Sequence, residues 1–235
     1  MSEAPRLVLL DIEGTTTPID FVSRVLFPYS DARFAEFLEQ HASEPQVAAD
    51  VEGLRLEHER DRAAGRNLPP WDARGAAYAR WLLAQDRKLT ALKSLQGRIW
   101  QQGFESGELR GQVYPDVPAA LRRWTAARRR VAIFSSGSVL AQKLLFGHSE
   151  HGDLTPYLSG YFDTVMGAKR EAESYRRIAR VLGASSPAAV LFVSDVVAEL
   201  DAAREAGSAT ALSVRTPPGP DPNGHTRILS FDELP

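Results

Sequence analysis

Leu7-Val8-Leu9-Leu10-Asp11-Ile12-Glu13-Gly14-Thr15-Thr16 is the stretch that decides the fold. Leu7–Leu10 is an apolar run without polar alternation, which reads as a strand buried on both faces, as in parallel sheets. The run stops at a carboxylate, Asp11. Open α/β sheets bind ligands outside the carboxyl ends of their strands, where loops and helix N-termini converge. Asp11 and Glu13 lie two apart and share a face in extended chain. Two carboxylates so placed can hold one hard cation, or divide into nucleophile and general acid/base. On its own, Asp11 also reads as a strand-end residue that starts a turn.

The same grammar recurs downstream. Val131–Phe134 and Val190–Val193 are short Val/Leu/Ile-rich runs. A helical pattern follows each, Val139–Phe146 stopped at Gly147 and Val197–Ala206 stopped at Gly207. Val165–Met166 and Thr210–Val214 are further strand candidates. Strand, turn and helix in alternation predict an α/β sheet with parallel strands.

Chemistry-bearing residues sit at these strand ends. Ser135-Ser136-Gly137-Ser138 precedes a helix, where backbone N–H groups and hydroxyls can meet an anion, although a plain Ser N-cap explains it too. Lys169, one of four Lys against 24 Arg, stands between Val165–Met166 and a helix from Glu171 to Leu182. It offers a point charge for phosphate, but alone reads as a solvated surface lysine. Asp195 repeats the pattern of Asp11, with helix capping as the plain alternative, and Glu199 lies one helical turn beyond it. Acid, Ser, Lys and acid in that order, each at a strand end, make a Mg²⁺ site with an anion cradle beside it.

Between about Phe21 and Gly111 no strand is apparent. Val47, Val51 and Leu54 lie at helical spacing after Ser43-Glu44-Pro45. Tyr78, Trp81 and Leu82 do so after Pro69-Pro70, and Thr90 is placed to cap a helix carrying Leu92, Leu95, Ile99 and Trp100. The expectation is an α/β core over 1–17 and 112–235 with a helical cap inserted over 18–111. The cap's Trp and Phe residues form its own core, and a minority face a ligand. The turn-rich Thr216–Gly224 is a loop, and Ile228–Phe231 packs on the sheet edge.

Composition narrows the function classes. The chain has 235 residues, enough to bury roughly 70% of its surface without staples. Zero cysteine excludes disulfide scaffolds, thiolate metal sites and a cysteine nucleophile. A net charge of −2 calls for neither nucleic acid nor an anionic membrane. Arg122, Arg123, Arg128, Arg129 and Arg130 read as a solvated face, and His148 and His151 near Asp153 show no third zinc ligand. No apolar run is long enough to span a bilayer, and Met1–Arg6 is too short for a signal n-region. The expectation is a cytoplasmic, monomeric enzyme with a small-molecule substrate.

These motifs resemble the haloacid dehalogenase superfamily, whose phosphatases read DxDxT, then Ser/Thr, then Lys, then an acidic pair. Within it, Asp11-Ile12-Glu13-Gly14-Thr15-Thr16-Thr17-Pro18-Ile19, Phe27-Pro28-Tyr29, Asp86-Arg87-Lys88 with Thr90-Ala91-Leu92-Lys93, and Ser135-Ser136-Gly137-Ser138 with Gln142-Lys143-Leu144-Leu145-Phe146-Gly147-His148-Ser149 resemble the acireductone synthases, the enolase-phosphatases of methionine salvage. The likeness runs from Leu9 to about Arg215. It implies a Rossmannoid parallel-sheet core with an inserted cap, one Mg²⁺ per subunit, and a phosphorylated diketone, 2,3-diketo-5-methylthiopentyl 1-phosphate, as substrate. It further implies that Asp11 is nucleophile and Mg²⁺ ligand. Glu13 is implied as the second acid and a ligand by carboxylate or backbone carbonyl, and Asp195 as the third ligand. Ser135, Ser136 and Gly137 then hold phosphate and Lys169 neutralises it. Phe21 and Trp81 are candidates for the methylthio group. Glu13 stands where phosphatases of the wider superfamily usually have Asp, which moves the carboxyl by about 1.5 Å.

Three alternatives compete. Another capped phosphatase of the superfamily would act on a different small phosphate ester. A dehalogenase would keep its activity in EDTA. A phospho-accepting receiver module shares Asp, Ser/Thr and Lys at strand ends, but has about half this length and no large insertion after the first acid.

Overall fold

The computed structural model describes residues 6–234; the first five residues of the Met1–Arg6 stretch lie outside them. Leu7–Leu10 forms β1, with all four residues buried. It is flanked in parallel by β2 (Arg130–Phe134) and β4 (Val190–Ser194). Among the described residues six strands form one sheet in the order β3-β2-β1-β4-β5-β6, where β3 is Leu158–Phe162, β5 is Ala209–Ser213 and β6 is Thr226–Ile228. Every pairing is parallel. This is the expected α/β core built on a parallel sheet. The chain runs outward from β1 to one side and then returns to β4, so the gap between the C-terminal ends of β1 and β4 is a topological switch point.

Register decides which residues meet there. Leu10 is level with Ile133 of β2 and Val193 of β4. Asp11 is therefore level with Phe134 and Ser194, and Ser135 and Asp195 follow one residue later, so that all three emerge at one edge of the sheet. The core beneath is built from Leu7, Leu9, Phe134, Tyr175, Ile178, Phe192 and Leu200, among others, all nearly inaccessible.

The chain divides into two compact units, Met1–Phe21 with Arg110–Pro235, and Val22–Leu109. The second contains helices Phe27–His41, Pro45–Ala63, Ala76–Ala84 and Thr90–Glu105. Among the described residues it has no strand. Phe34, Phe37, Leu38, Leu54, Tyr78, Leu82, Leu92 and Leu95 close its core. The buried Asp61 accepts from the Tyr78 hydroxyl at 2.7 Å and pairs with Arg87 at 3.1 Å.

Several local expectations are corrected. Val165 and Met166 are not a strand. They lie in a 3-10 turn whose N-cap, Asp163, accepts from the Val165 N–H, and Val165 is 88% exposed. The strand of that segment is β3, an edge strand whose Ser159 and Gly160 interrupt the apolar signal. Thr90 is the first helical residue rather than a cap, preceded by Leu89 with no side-chain cap bond. Asp72 accepts from the Ala76 and Ala77 N–H groups and so holds the start of the helix that contains Tyr78. The Arg run is not wholly solvated, since Arg123 donates to the Phe231 carbonyl at 2.7 Å and Arg130 donates to that of Leu182. Phe21 is 2% exposed.

Candidate active site

Asp11 leaves β1 into a tight loop. Its N–H still donates to Val193 O at 3.0 Å, while the N–H groups of Thr15, Thr16 and Thr17 all turn back to Ile12 O. The loop doubles over at Gly14, where φ is +70°. A Cβ there would lie 2.2 Å from Asp195 Oδ2, so only glycine lets the β1 loop lie against the β4 acid. Arg215 secures the loop from behind. Its Nε and Nη2 donate to Thr15 O at 2.9 and 2.6 Å, and its Nη1 pairs with Asp116 at 2.7 Å. Its guanidinium lies over the rings of Tyr114 and Phe231.

The Asp11 carboxylate is 8% exposed. Oδ1 accepts from the Ile12 N–H at 2.7 Å and from Lys169 Nζ at 2.6 Å. Lys169 also pairs with Glu199 at 2.7 Å, and its backbone carbonyl is held by the buried Tyr175 hydroxyl at 2.6 Å. Ser194 Oγ lies 3.2 Å from Asp11 Oδ2 and 3.0 Å from Glu199 Oε2. Its single proton serves one of them at a time, while its lone pair takes the Val196 N–H. One ammonium thus bridges two carboxylates, and one hydroxyl links them on the other side.

From β2, Ser135 is buried and its N–H reaches Phe162 O at 3.1 Å. Ser136 is exposed to solvent. The Gly137 N–H donates to Ser135 Oγ at 3.1 Å. Ser138, not Ser135 or Ser136, is the helix N-cap, accepting from the Ala141 N–H. The two serines ahead of the helix are therefore not its cap.

Electrostatics mark the acids. Burial, reinforced by the charge of Asp11, pushes the Asp195 carboxyl up to about 7. Burial and Asp11 also raise Glu199. Burial alone would lower Lys169, but Asp11 and Glu199 outweigh it and hold the ammonium above its ordinary value. Lys169 is therefore a fixed positive charge, and Asp195 is a carboxylate short of positive partners. Its Oδ1 is buried with no hydrogen-bond partner.

A cavity of about 150 Å³ opens among these groups, lined by Asp11, Glu13, Ile19, Ser135, Ser136, Lys169, Asp195, Val196 and Glu199. It is smaller than the roughly 300–1,000 Å³ of sites that enclose a drug-sized ligand, and suits a phosphoryl group with an ion. All the sequence-predicted site residues line it except Gly137, whose N–H is taken by Ser135. Asp195 is not the helix cap, which is Val196. Ser194, Tyr175 and Arg215 were not singled out from sequence; of these, only Ser194 adjoined a motif. Among the described residues no three His, Asp or Glu side chains form a ready metal-ligand group. A hard cation nonetheless fits beside Asp11 and the unpartnered Asp195 oxygen, with backbone oxygen and solvent completing its shell, as oxygen-seeking cations accept. Among the described residues no helix is long and apolar enough to cross a membrane.

Comparison with known proteins agrees with this fold. Residues 5–207 match the model of the haloacid dehalogenase-like hydrolases. The chain is 56% identical over 234 residues to enolase-phosphatase E1 of Synechococcus elongatus, covering 97% of this chain and 96% of that one. It is 45% identical to the probable bifunctional methylthioribulose-1-phosphate dehydratase/enolase-phosphatase E1 of Ricinus communis, covering all of this chain and 47% of that longer one. Among solved structures, the UTR4 protein of Saccharomyces cerevisiae superposes with a TM-score of 0.78 at 35% identity, over 98% of this chain and 100% of that one.

Proposed function

Because the chain belongs to the haloacid dehalogenase-like hydrolases and, within them, to the enolase-phosphatase E1 family, we propose that it converts 2,3-diketo-5-methylthiopentyl 1-phosphate to acireductone in methionine salvage. The observation that carries the proposal is a single cavity joining Asp11, its Lys169 partner, Ser135 and Asp195, whose Oδ1 has no hydrogen-bond partner. In this reading the enzyme is a cytoplasmic monomer, acts on a free small molecule, and takes one Mg²⁺ per subunit.

Asp11 is the nucleophile. One of its carboxylate oxygens bonds to phosphorus as the bond from phosphorus to the substrate oxygen breaks. Water then attacks the aspartyl-phosphate, returning the carboxylate and releasing phosphate. Oδ2, with its one contact at 3.2 Å from Ser194, is less engaged than Oδ1. Lys169 and the two serines stabilise charge on the transferring group. Asp11, Asp195 and the Glu13 backbone carbonyl would hold Mg²⁺, which supplies Lewis-acid stabilisation of phosphoryl and enolate oxygens. Enolisation precedes transfer: Glu13 takes the proton from the phosphate-bearing carbon, leaving charge on the neighbouring ketone oxygen. The helical unit Val22–Leu109 is the inserted cap domain of this reading.

The test supplies the diketo phosphate with Mg²⁺ and follows phosphate release together with acireductone absorbance. Matched appearance of both is expected. Phosphate release without acireductone would mean that the enzyme hydrolyses this ester without enolising it, and release of neither would overturn the proposal in favour of a different small phosphate ester.

A further inference from the structure

Gln142 belongs to the Gln142–Ser149 stretch, yet none of the steps above uses it. It is the fourth residue of helix Val139–Gly147 and 1% exposed. Its Nε2 donates to Gly137 O at 2.9 Å and to Phe162 O at 2.9 Å. Both partners are carbonyls and can only accept, so the amide's NH₂ end must face them. Its Oε1 is left buried with no partner. A buried oxygen without a donor is destabilising, and Leu or Met would pack here without that cost. The two donated bonds are what the glutamine contributes.

Those bonds converge on the serine loop. Phe162 O also accepts from the Ser135 N–H at 3.1 Å. The buried amide therefore ties the end of β3 to the finish of Ser135-Ser136-Gly137, while the same Phe162 carbonyl holds its start. It also keeps the Gly137 carbonyl turned towards itself. Released, that carbonyl is free to rotate, and turned into the cavity it would set negative charge against an anion.

We propose that Gln142 is a positioning residue for phosphate recognition, holding Ser135 and Ser136 in the shape that receives the anion. The proposal rests on the phosphatase reading of the cavity. The test uses full-length, Mg²⁺-loaded enzyme and inorganic phosphate as a competitive inhibitor. Q142M keeps the side-chain volume and loses both donors, and Q142E keeps the shape and loses the NH₂. Expected is a Ki for inorganic phosphate raised at least about tenfold, with the Mg²⁺ activation constant within twofold of wild type. An unchanged Ki in a folded variant overturns the proposal, as does a parallel rise in the Mg²⁺ constant, which would mean general collapse of the site. If Q142M does not fold, Q142E decides by the same readout. Failure of both to fold makes Gln142 a folding residue and equally overturns it. Wild-type enzyme that binds no phosphate removes the underlying phosphatase reading, and the proposal with it.

Discussion

Asp195→Asn should stabilise the metal-free protein while abolishing its activity. Asp195 is buried, Asp11 is a close negative neighbour, and Oδ1 has no donor. Lifting a carboxyl from 3.8 to about 7 corresponds to about 4 kcal/mol against the charged form. Relaxation and water penetration reduce that to about 2 kcal/mol. The sign follows from linkage. Below about pH 4 the carboxyl is protonated in folded and unfolded chains alike, and nothing is lost. As pH rises towards 7 only the unfolded chain ionises freely, so the penalty grows; above 7 it is complete. In EDTA at pH 8 the variant should therefore melt about 4–8 °C above wild type. At pH 5 the difference should shrink to about a third of that, because only about one of the three pH units above 3.8 has been crossed. Mg²⁺ should raise the melting temperature of wild type and leave the variant unmoved, and turnover should fall at least about 100-fold. Calorimetry at the two pH values with and without Mg²⁺ decides the matter. A variant that melts below wild type at pH 8 in EDTA, or a gap that does not narrow at pH 5, would refute the reasoning.

Other perturbations separate the remaining roles. Lys169→Ala leaves Asp11 and Glu199 facing each other unpaired. It should cost about 3–5 kcal/mol in urea melts and lower kcat/KM by about 100-fold or more. Arg215→Lys loses the paired donation to Thr15 O and the planar stack between Tyr114 and Phe231. It should cost about 1–3 kcal/mol by denaturant unfolding, and an unchanged midpoint would remove the clamp from the account. In deuterated water, Asp11→Asn should still exchange deuterium into the phosphate-bearing carbon in a Mg²⁺-dependent way, and Glu13→Gln should stop that exchange. Exchange no faster than the uncatalysed rate with Asp11→Asn would give Asp11 a part in enolisation.

What could be read from sequence followed burial. β1, β2 and β4 are covered on both faces, so each is an unbroken apolar run, and their shared register carries Asp11, Ser135 and Asp195 to one edge. β3 lies at the sheet's edge, needs no such run, and went unseen behind the more apolar but exposed Val165 and Met166. Asp11 and Asp195 were legible because a charged residue ending a buried run is conspicuous, whereas Lys169 follows an exposed turn and stood out only by its place in the order of motifs. Ser194 was not, since a serine inside the strand's final turn carries no periodicity signal, and only the fold sets its hydroxyl between two carboxylates. Arg215 and Gln142 act on backbone carbonyls of Thr15, Gly137 and Phe162, partners far away in sequence or without any side-chain signature.

The most direct measurement of the central claim is chemical trapping of Asp11 during turnover. Wild-type enzyme is mixed with substrate and Mg²⁺, quenched within one turnover, reduced with borohydride and digested for mass spectrometry. A phosphorylated carboxylate is reduced to an alcohol, so the peptide containing residue 11 should carry homoserine in place of aspartate, in a fraction that rises and falls with turnover. Unmodified aspartate at every time point, with phosphate still being released, would contradict nucleophilic attack by Asp11.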